Sequence, residues 1–129
     1  MYNRRVSIVG IGIDVVDVAR MRDTITRTPS VRDRCFTPGE REYAERARDP
    51  AERFAVRFAA KEAVMKAMGL GLGAFGFFDV EVLRADDGVP TLHISGDAAR
   101  LAAERGITRW HLSLTHTETT AAAYVIAEG

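Results

Sequence analysis

The stretch Arg57-Phe58-Ala59-Ala60-Lys61-Glu62-Ala63-Val64-Met65-Lys66-Ala67 decides how the whole chain is read. It reads as a helix that carries the carboxylate of Glu62 on the same face as Phe58 and Met65. A carboxylate on an apolar stripe is costly to bury unless something pairs with it. Lys66 follows one turn later, and Arg57 and Lys61 lie close by. One acid among three bases is equipment for a metal ion and phosphates. The i, i+4 spacing of Glu62 and Lys66 also suits an exposed ion pair, which contributes only about 0.3–0.5 kcal/mol. The apolar neighbours Phe58 and Met65 argue against full exposure.

Working outward, Asp49-Pro50 places an N-cap before a proline and starts this helix, which should continue to Met68 as the longest element. Gly69, Gly71, Gly73 and Gly76 then break it. Upstream, Thr37-Pro38-Gly39-Glu40 is a capping box that opens a helix to about Arg48. Residues Val6 to Val16 are rich in Val and Ile, with Gly10 and Gly12 among them. Both alternating faces are apolar, so the segment reads as a central strand covered on both sides. Asp17 caps a helix to about Thr28 with Val18, Met21 and Ile25 as its inner stripe, and Pro29 punctuates it. Downstream, Phe77 to Arg84 and Thr91 to Ile94 read as a hairpin across the turn Asp86-Asp87-Gly88. Gly96 to Arg105 is a helix ending at Gly106. Trp110 to Thr115 and Thr120 to Ile126 are two last strands, and the small run Ala121-Ala122-Ala123 suits close packing against another element. This order predicts an α+β fold in a single domain over 1–129.

The chain has 129 residues, enough for one real core, and a formal net charge of zero. That balance carries no global signature of nucleic-acid or membrane binding. Cys35 is the only cysteine, which excludes an intrachain disulfide and a thiolate zinc cluster. No apolar run is long enough to span a membrane. The basic start Met1-Tyr2-Asn3-Arg4-Arg5 precedes an apolar stretch, but Asp14 and Asp17 interrupt it and no clean cleavage site follows. A cytoplasmic protein is expected.

Asp14 ends the first strand on the face of Gly10 and Gly12, where missing side chains leave room for something to approach the backbone. It is either a helix cap or a functional carboxylate, and Asp17 is the better cap by position. Asp14 and Glu62 together would supply two hard oxygen ligands. That suffices for Mg²⁺ when water and phosphate oxygens complete the shell. The glycine run 69–76 is either a flexible helix exit or a backbone phosphate contact; it is neither a Walker A loop nor a dinucleotide fingerprint. His116 ends the stripe Trp110, Leu112, Leu114 among hydroxyls. A structural histidine and an anion contact are both open there. Residues 18–34 hold Arg20, Arg22, Arg27, Arg32 and Arg34 against Asp23 and Asp33, a solvated face or a docking patch.

Three blocks together resemble one family: Gly10-Ile11-Gly12-Ile13-Asp14, Arg57-Phe58-Ala59-Ala60-Lys61-Glu62-Ala63 with Lys66, and Ser113-Leu114-Thr115-His116-Thr117. The chain is similar over nearly its whole length to the holo-(acyl carrier protein) synthases, the small class of phosphopantetheinyl transferases. The resemblance implies an antiparallel sheet packed with one long central helix. It implies transfer of the 4'-phosphopantetheine arm of coenzyme A to a serine of apo acyl carrier protein, with adenosine bisphosphate leaving. On this pattern Asp14 and Glu62 bind Mg²⁺, Glu62 also helps remove the serine proton, and Lys66 contacts the pyrophosphate. Arg57, Thr115 and His116 match positions for the coenzyme A phosphates, with Gly69, Gly71, Gly88 and Pro90 near the nucleotide. Arg20, with Met21 and Arg27, would dock an acidic carrier of fatty acid or polyketide synthesis. Members of the family form homotrimers with active sites between subunits. Two other readings use the same residues: a Mg²⁺-dependent hydrolase of nucleotide pyrophosphates, and a noncatalytic nucleotide-binding subunit.

Overall fold

A computed structural model describes residues 6–84 and 87–129. The basic start at 1–5 and the Asp86 position of the expected turn lie outside the described residues. Strand β1 (Ile8–Asp17) leads into helices α1 (Val18–Arg27), α2 (Ser30–Cys35), α3 (Pro38–Glu45) and α4 (Pro50–Ala67). A 3₁₀ turn (Phe77–Asp79) precedes strands β2 (Val80–Arg84) and β3 (Pro90–Ile94). Helix α5 (Gly96–Glu104) and strands β4 (Arg109–His116) and β5 (Thr120–Glu128) complete the chain. The architecture is α+β, as expected: β1, β5 and β4 form one antiparallel sheet in that order, and β2 and β3 form a separate hairpin.

Local chemistry sets the helix starts. The Asp17 side chain accepts from the Arg20 N–H at 3.0 Å and caps α1. Thr37 and Glu40 make both halves of the capping box at α3. Asp49 caps α4 ahead of Pro50. Gly69, at φ +71°, ends α4: its N–H donates to Lys66 O and the Leu70 N–H to Met65 O. The first glycine of the run is therefore a helix exit.

Helix α4 is the centre of the molecule. Its alanines Ala59, Ala60, Ala63 and Ala67 are buried with Ala121, Ala123 and Val125 of β5. Small residues on both sides bring helix and sheet close together. A Cβ on Gly10 would lie 1.8 Å from Ala67 O, and one on Gly12 would lie 1.9 Å from Ala63 O. The space left by these glycines is filled by the helix backbone. Phe36 and Phe54, with ring centroids 4.7 Å apart, anchor α4 to the α1–α3 layer. Among the described residues no helix is long and apolar enough to cross a membrane.

Four expectations are corrected. β1 is an edge strand, not a central one: its inner face meets α4, while Ile11, Ile13 and Val15 are exposed on the outer face. Apolarity on both faces predicts burial on both, and the chain covers only one of them. After Pro29 the chain makes a further helix, α2. Helix α3 stops at Glu45, short of Arg48. Residues Phe77–Asp79 curl into a 3₁₀ turn instead of starting the strand. The cause of the last lies in Lys61, which is fully buried. Its ammonium donates to Glu40 Oε1 at 2.7 Å and to the carbonyls of Phe77 and Val80, gathering that segment onto α4. Burial pushes the Lys61 pKa below its ordinary value, and Glu40 opposes that shift. Lys61 is thus a structural cation and no part of a phosphate site.

Candidate active site

Close packing of β1 on α4 brings Asp14 to Glu62 and Lys66. Asp14 is 8 % exposed. Its Oδ1 accepts from Lys66 Nζ at 2.9 Å, and the same ammonium donates to Ile13 O at 3.0 Å. Since Asp17 does the capping, Asp14 has no duty to α1. Its Oδ2 is buried and has no hydrogen-bond partner among the described residues. The Glu62 carboxyl is pushed up to about 7 by burial first and then by the neighbouring Asp14 carboxylate, with Lys66 pulling the other way.

That arrangement suits a hard divalent cation. Among the described residues no third His, Cys, Asp or Glu joins them, so a closed zinc-type cage is not built. Two oxygen donors with the remaining positions open match Mg²⁺, which keeps waters and takes phosphate oxygens. The unpartnered Asp14 Oδ2 and the raised Glu62 carboxyl are groups that a divalent cation could satisfy. The pair opens on a cleft of about 750 Å³ whose walls include Asp17, Arg20, Met21, Phe58 and Phe77. Phe58 and Phe77 stack with centroids 5.4 Å apart and form its apolar wall.

A second cleft, of about 340 Å³, gathers Arg57, His116, Gly88 and Pro90. It also contains Tyr43, Arg53 and Arg84, which the sequence reading missed. Arg53 had a signal, since it lies one helical turn before Arg57. Tyr43 and Arg84 arrive from α3 and β2 and carried none. Burial draws the Arg57 pKa below its ordinary value, and its Nε has no partner among the described residues. His116 Nδ1 lies 3.4 Å from Glu52 Oε2.

The two clefts share no lining residue. Arg57 and Glu62 are five positions apart, roughly 140° around α4 at about 3.6 residues per turn. Gly69 and Gly71 line neither cleft, and Thr115 lies on the strand face opposite His116. Arg20 and Met21 line the carboxylate cleft; Arg27, in the last turn of α1, does not.

Residues 10–127 match the family model described as the 4'-phosphopantetheinyl transferase superfamily. The chain is 47% identical over 120 residues to a holo-[acyl-carrier-protein] synthase of Clavibacter michiganensis, covering 93% of this chain and 95% of the relative. Among solved structures, the holo-ACP-synthase of Plasmodium yoelii superposes with a TM-score of 0.85 at 27% identity, covering 98% of each chain. The Helicobacter pylori holo-[acyl-carrier-protein] synthase in complex with coenzyme A superposes with a TM-score of 0.79 at 27% identity, covering 91% of this chain and 98% of the other.

Proposed function

The chain belongs to the 4'-phosphopantetheinyl transferase superfamily, and from that premise we propose how its two clefts divide one reaction. It is an enzyme of the holo-(acyl carrier protein) synthase type: it binds coenzyme A and moves the phosphopantetheine arm to apo acyl carrier protein. The observation that supports this assignment of the chemistry is the meeting of Asp14 and Glu62 at one cleft, with Lys66 hydrogen-bonded to Asp14.

Phosphoryl transfer needs positioning and charge neutralisation more than covalent catalysis. Asp14 and Glu62 would hold Mg²⁺. When bound, that ion supplies Lewis-acid stabilisation to the pyrophosphate oxygens. Glu62 would also help remove the proton from the carrier serine. Lys66, whose side chain is 53% exposed beside Asp14, would neutralise charge on the departing phosphate. Arg57 and His116, with Gly88 and Pro90, would receive the nucleotide end of coenzyme A in the second cleft. Arg20 and Met21 at the edge of the first cleft, with Arg27 a turn or two beyond, would meet the acidic carrier.

A homotrimer would join the clefts. Support comes from the uncovered sheet face, where Ile11 pairs with Ile126 and Ile13 with Tyr124, leaving Ile13 54% exposed. Support also comes from the separation of the two clefts around α4, which suits a site completed by a neighbouring subunit.

The test is mass spectrometry of apo acyl carrier protein incubated with the enzyme, coenzyme A and Mg²⁺. The expected product carries one phosphopantetheine on one serine, and Glu62→Gln abolishes it. Adenosine bisphosphate released equally without carrier protein would instead make the enzyme a hydrolase.

A further inference from the structure

The second cleft contains an arrangement that Arg57 and His116 do not account for. The guanidinium carbons of Arg53, Arg57 and Arg84 lie 4.1, 4.4 and 5.1 Å from the centroid of the single Tyr43 ring. All three are within the range at which an aromatic face attracts a cation. The four residues come from three elements: Tyr43 from α3, Arg53 and Arg57 from successive turns of α4, and Arg84 from the end of β2. Hydrogen bonds fix them further. Arg53 donates to the Tyr43 carbonyl at 2.7 Å, Arg57 donates to the Arg53 carbonyl at 3.3 Å, and Arg84 donates to the Tyr43 hydroxyl.

We propose that Tyr43 positions Arg53, Arg57 and Arg84 as one anion-binding tray, and that Arg53 and Arg84 are further binding residues selecting a nucleotide with a phosphomonoester beside its pyrophosphate. The proposal rests on the reading that this cleft receives coenzyme A. Three like charges drawn around one ring repel one another, and the ring offsets only part of that repulsion. Among the described residues no carboxylate makes a salt bridge to any of the three. The formal charge of the whole chain is zero, so the cluster is not a by-product of a basic protein. Arg57 is buried and its Nε is unpartnered among the described residues, which leaves a donor for an incoming anion. A phosphomonoester carries close to two charges and three acceptor oxygens. It is the nucleotide group best able to occupy several planar guanidinium forks together.

The experiment measures binding by calorimetry, so its outcome does not depend on transfer. The probes are adenosine 3',5'-bisphosphate and adenosine 5'-monophosphate, compared on the wild type, Tyr43→Leu, Tyr43→Phe, Arg53→Gln and Arg84→Gln. The wild type should prefer the bisphosphate by about tenfold or more. Tyr43→Leu, Arg53→Gln and Arg84→Gln should each remove most of that preference, while weakening the monophosphate less than about twofold. Tyr43→Phe keeps the ring face and should retain most of the preference. Steady-state kinetics should show the same split, with KM rising for coenzyme A and little for dephospho-coenzyme A. A wild type blind to the extra phosphate, or a preference untouched by Tyr43→Leu or by both arginine variants, overturns the tray. A preserved preference without phosphopantetheine transfer would instead overturn the transferase reading and leave the tray standing.

Discussion

Replacing Lys61 with methionine removes one charge from the middle of the molecule and tests the buried node directly. Lys61 and Glu40 are both fully buried. The Lys61 ammonium satisfies three acceptors: Glu40 Oε1 at 2.7 Å, Phe77 O at 2.9 Å, and Val80 O. Glu40 also accepts the backbone N–H groups of Thr37 and Val82, each at 2.9 Å. Methionine preserves much of the side-chain volume but leaves a buried carboxylate without its counter-ion and two carbonyls without their donor. Breaking one partner of a buried pair costs about 3–5 kcal/mol. For a domain of this size that is a fall in Tm of roughly 10–20 °C. The double variant Lys61→Met, Glu40→Gln removes the orphaned charge. Its amide can still accept from Thr37 or Val82 and donate to a neighbouring carbonyl, so it should recover at least about half of the loss. Thermal unfolding by circular dichroism, with urea titration for the free energies, measures both. A Lys61→Met protein within about 1 kcal/mol of wild type, or a double variant less stable than the single, would refute the account of Lys61 as a structural cation.

Gly12→Ala should destabilise the fold by about 1–3 kcal/mol or more, because its Cβ would sit 1.9 Å from Ala63 O, whereas Gly71→Ala, with open space around it, should be near neutral in the same denaturation assay. Glu62 has a raised folded-state pKa, so its contribution to stability is present below about 4.5 and lost as pH rises through about 7. Differential scanning fluorimetry should show Mg²⁺ raising Tm more at about pH 8 than at about pH 5, and Glu62→Gln should flatten that difference; an equal or reversed response would contradict the cation site. Ile13→Asp places a charge on the uncovered sheet face and should reduce a trimer to monomers by light scattering, with transfer lost and far-UV circular dichroism unchanged; an intact trimer would remove that face from the interface.

The acidic pair and its basic neighbour were legible because the motif residues are unusual for their local pattern. Glu62 sits among apolar residues of a helix, and Asp14 follows two glycines at the end of a strand, with Asp17 available as the cap. The burial of Lys61 was not legible. On the helix it looks like a neighbour of Glu62, yet its partner Glu40 is 21 positions away and had already been explained by its capping box. The glycines were read as room for an approaching group, and the group that approaches is the backbone of α4. Tyr43 and Arg84 gave no warning, since only the convergence of α3, α4 and β2 makes them neighbours of Arg57.

By itself the amino-acid order determined where α1, α3, α4 and α5 begin, where α4 ends, and most of the segments that extend. Caps, prolines and glycines act through hydrogen bonds and dihedral preferences a few residues long, so they can be read along a line. Packing decided the rest: that β1 lies at an edge, that Lys61 turns inward, that Asp14 meets a lysine 52 positions away, and that three arginines share one ring. Those outcomes depend on which surfaces are excluded from water together, and burial is a property of the assembled elements that no short segment contains.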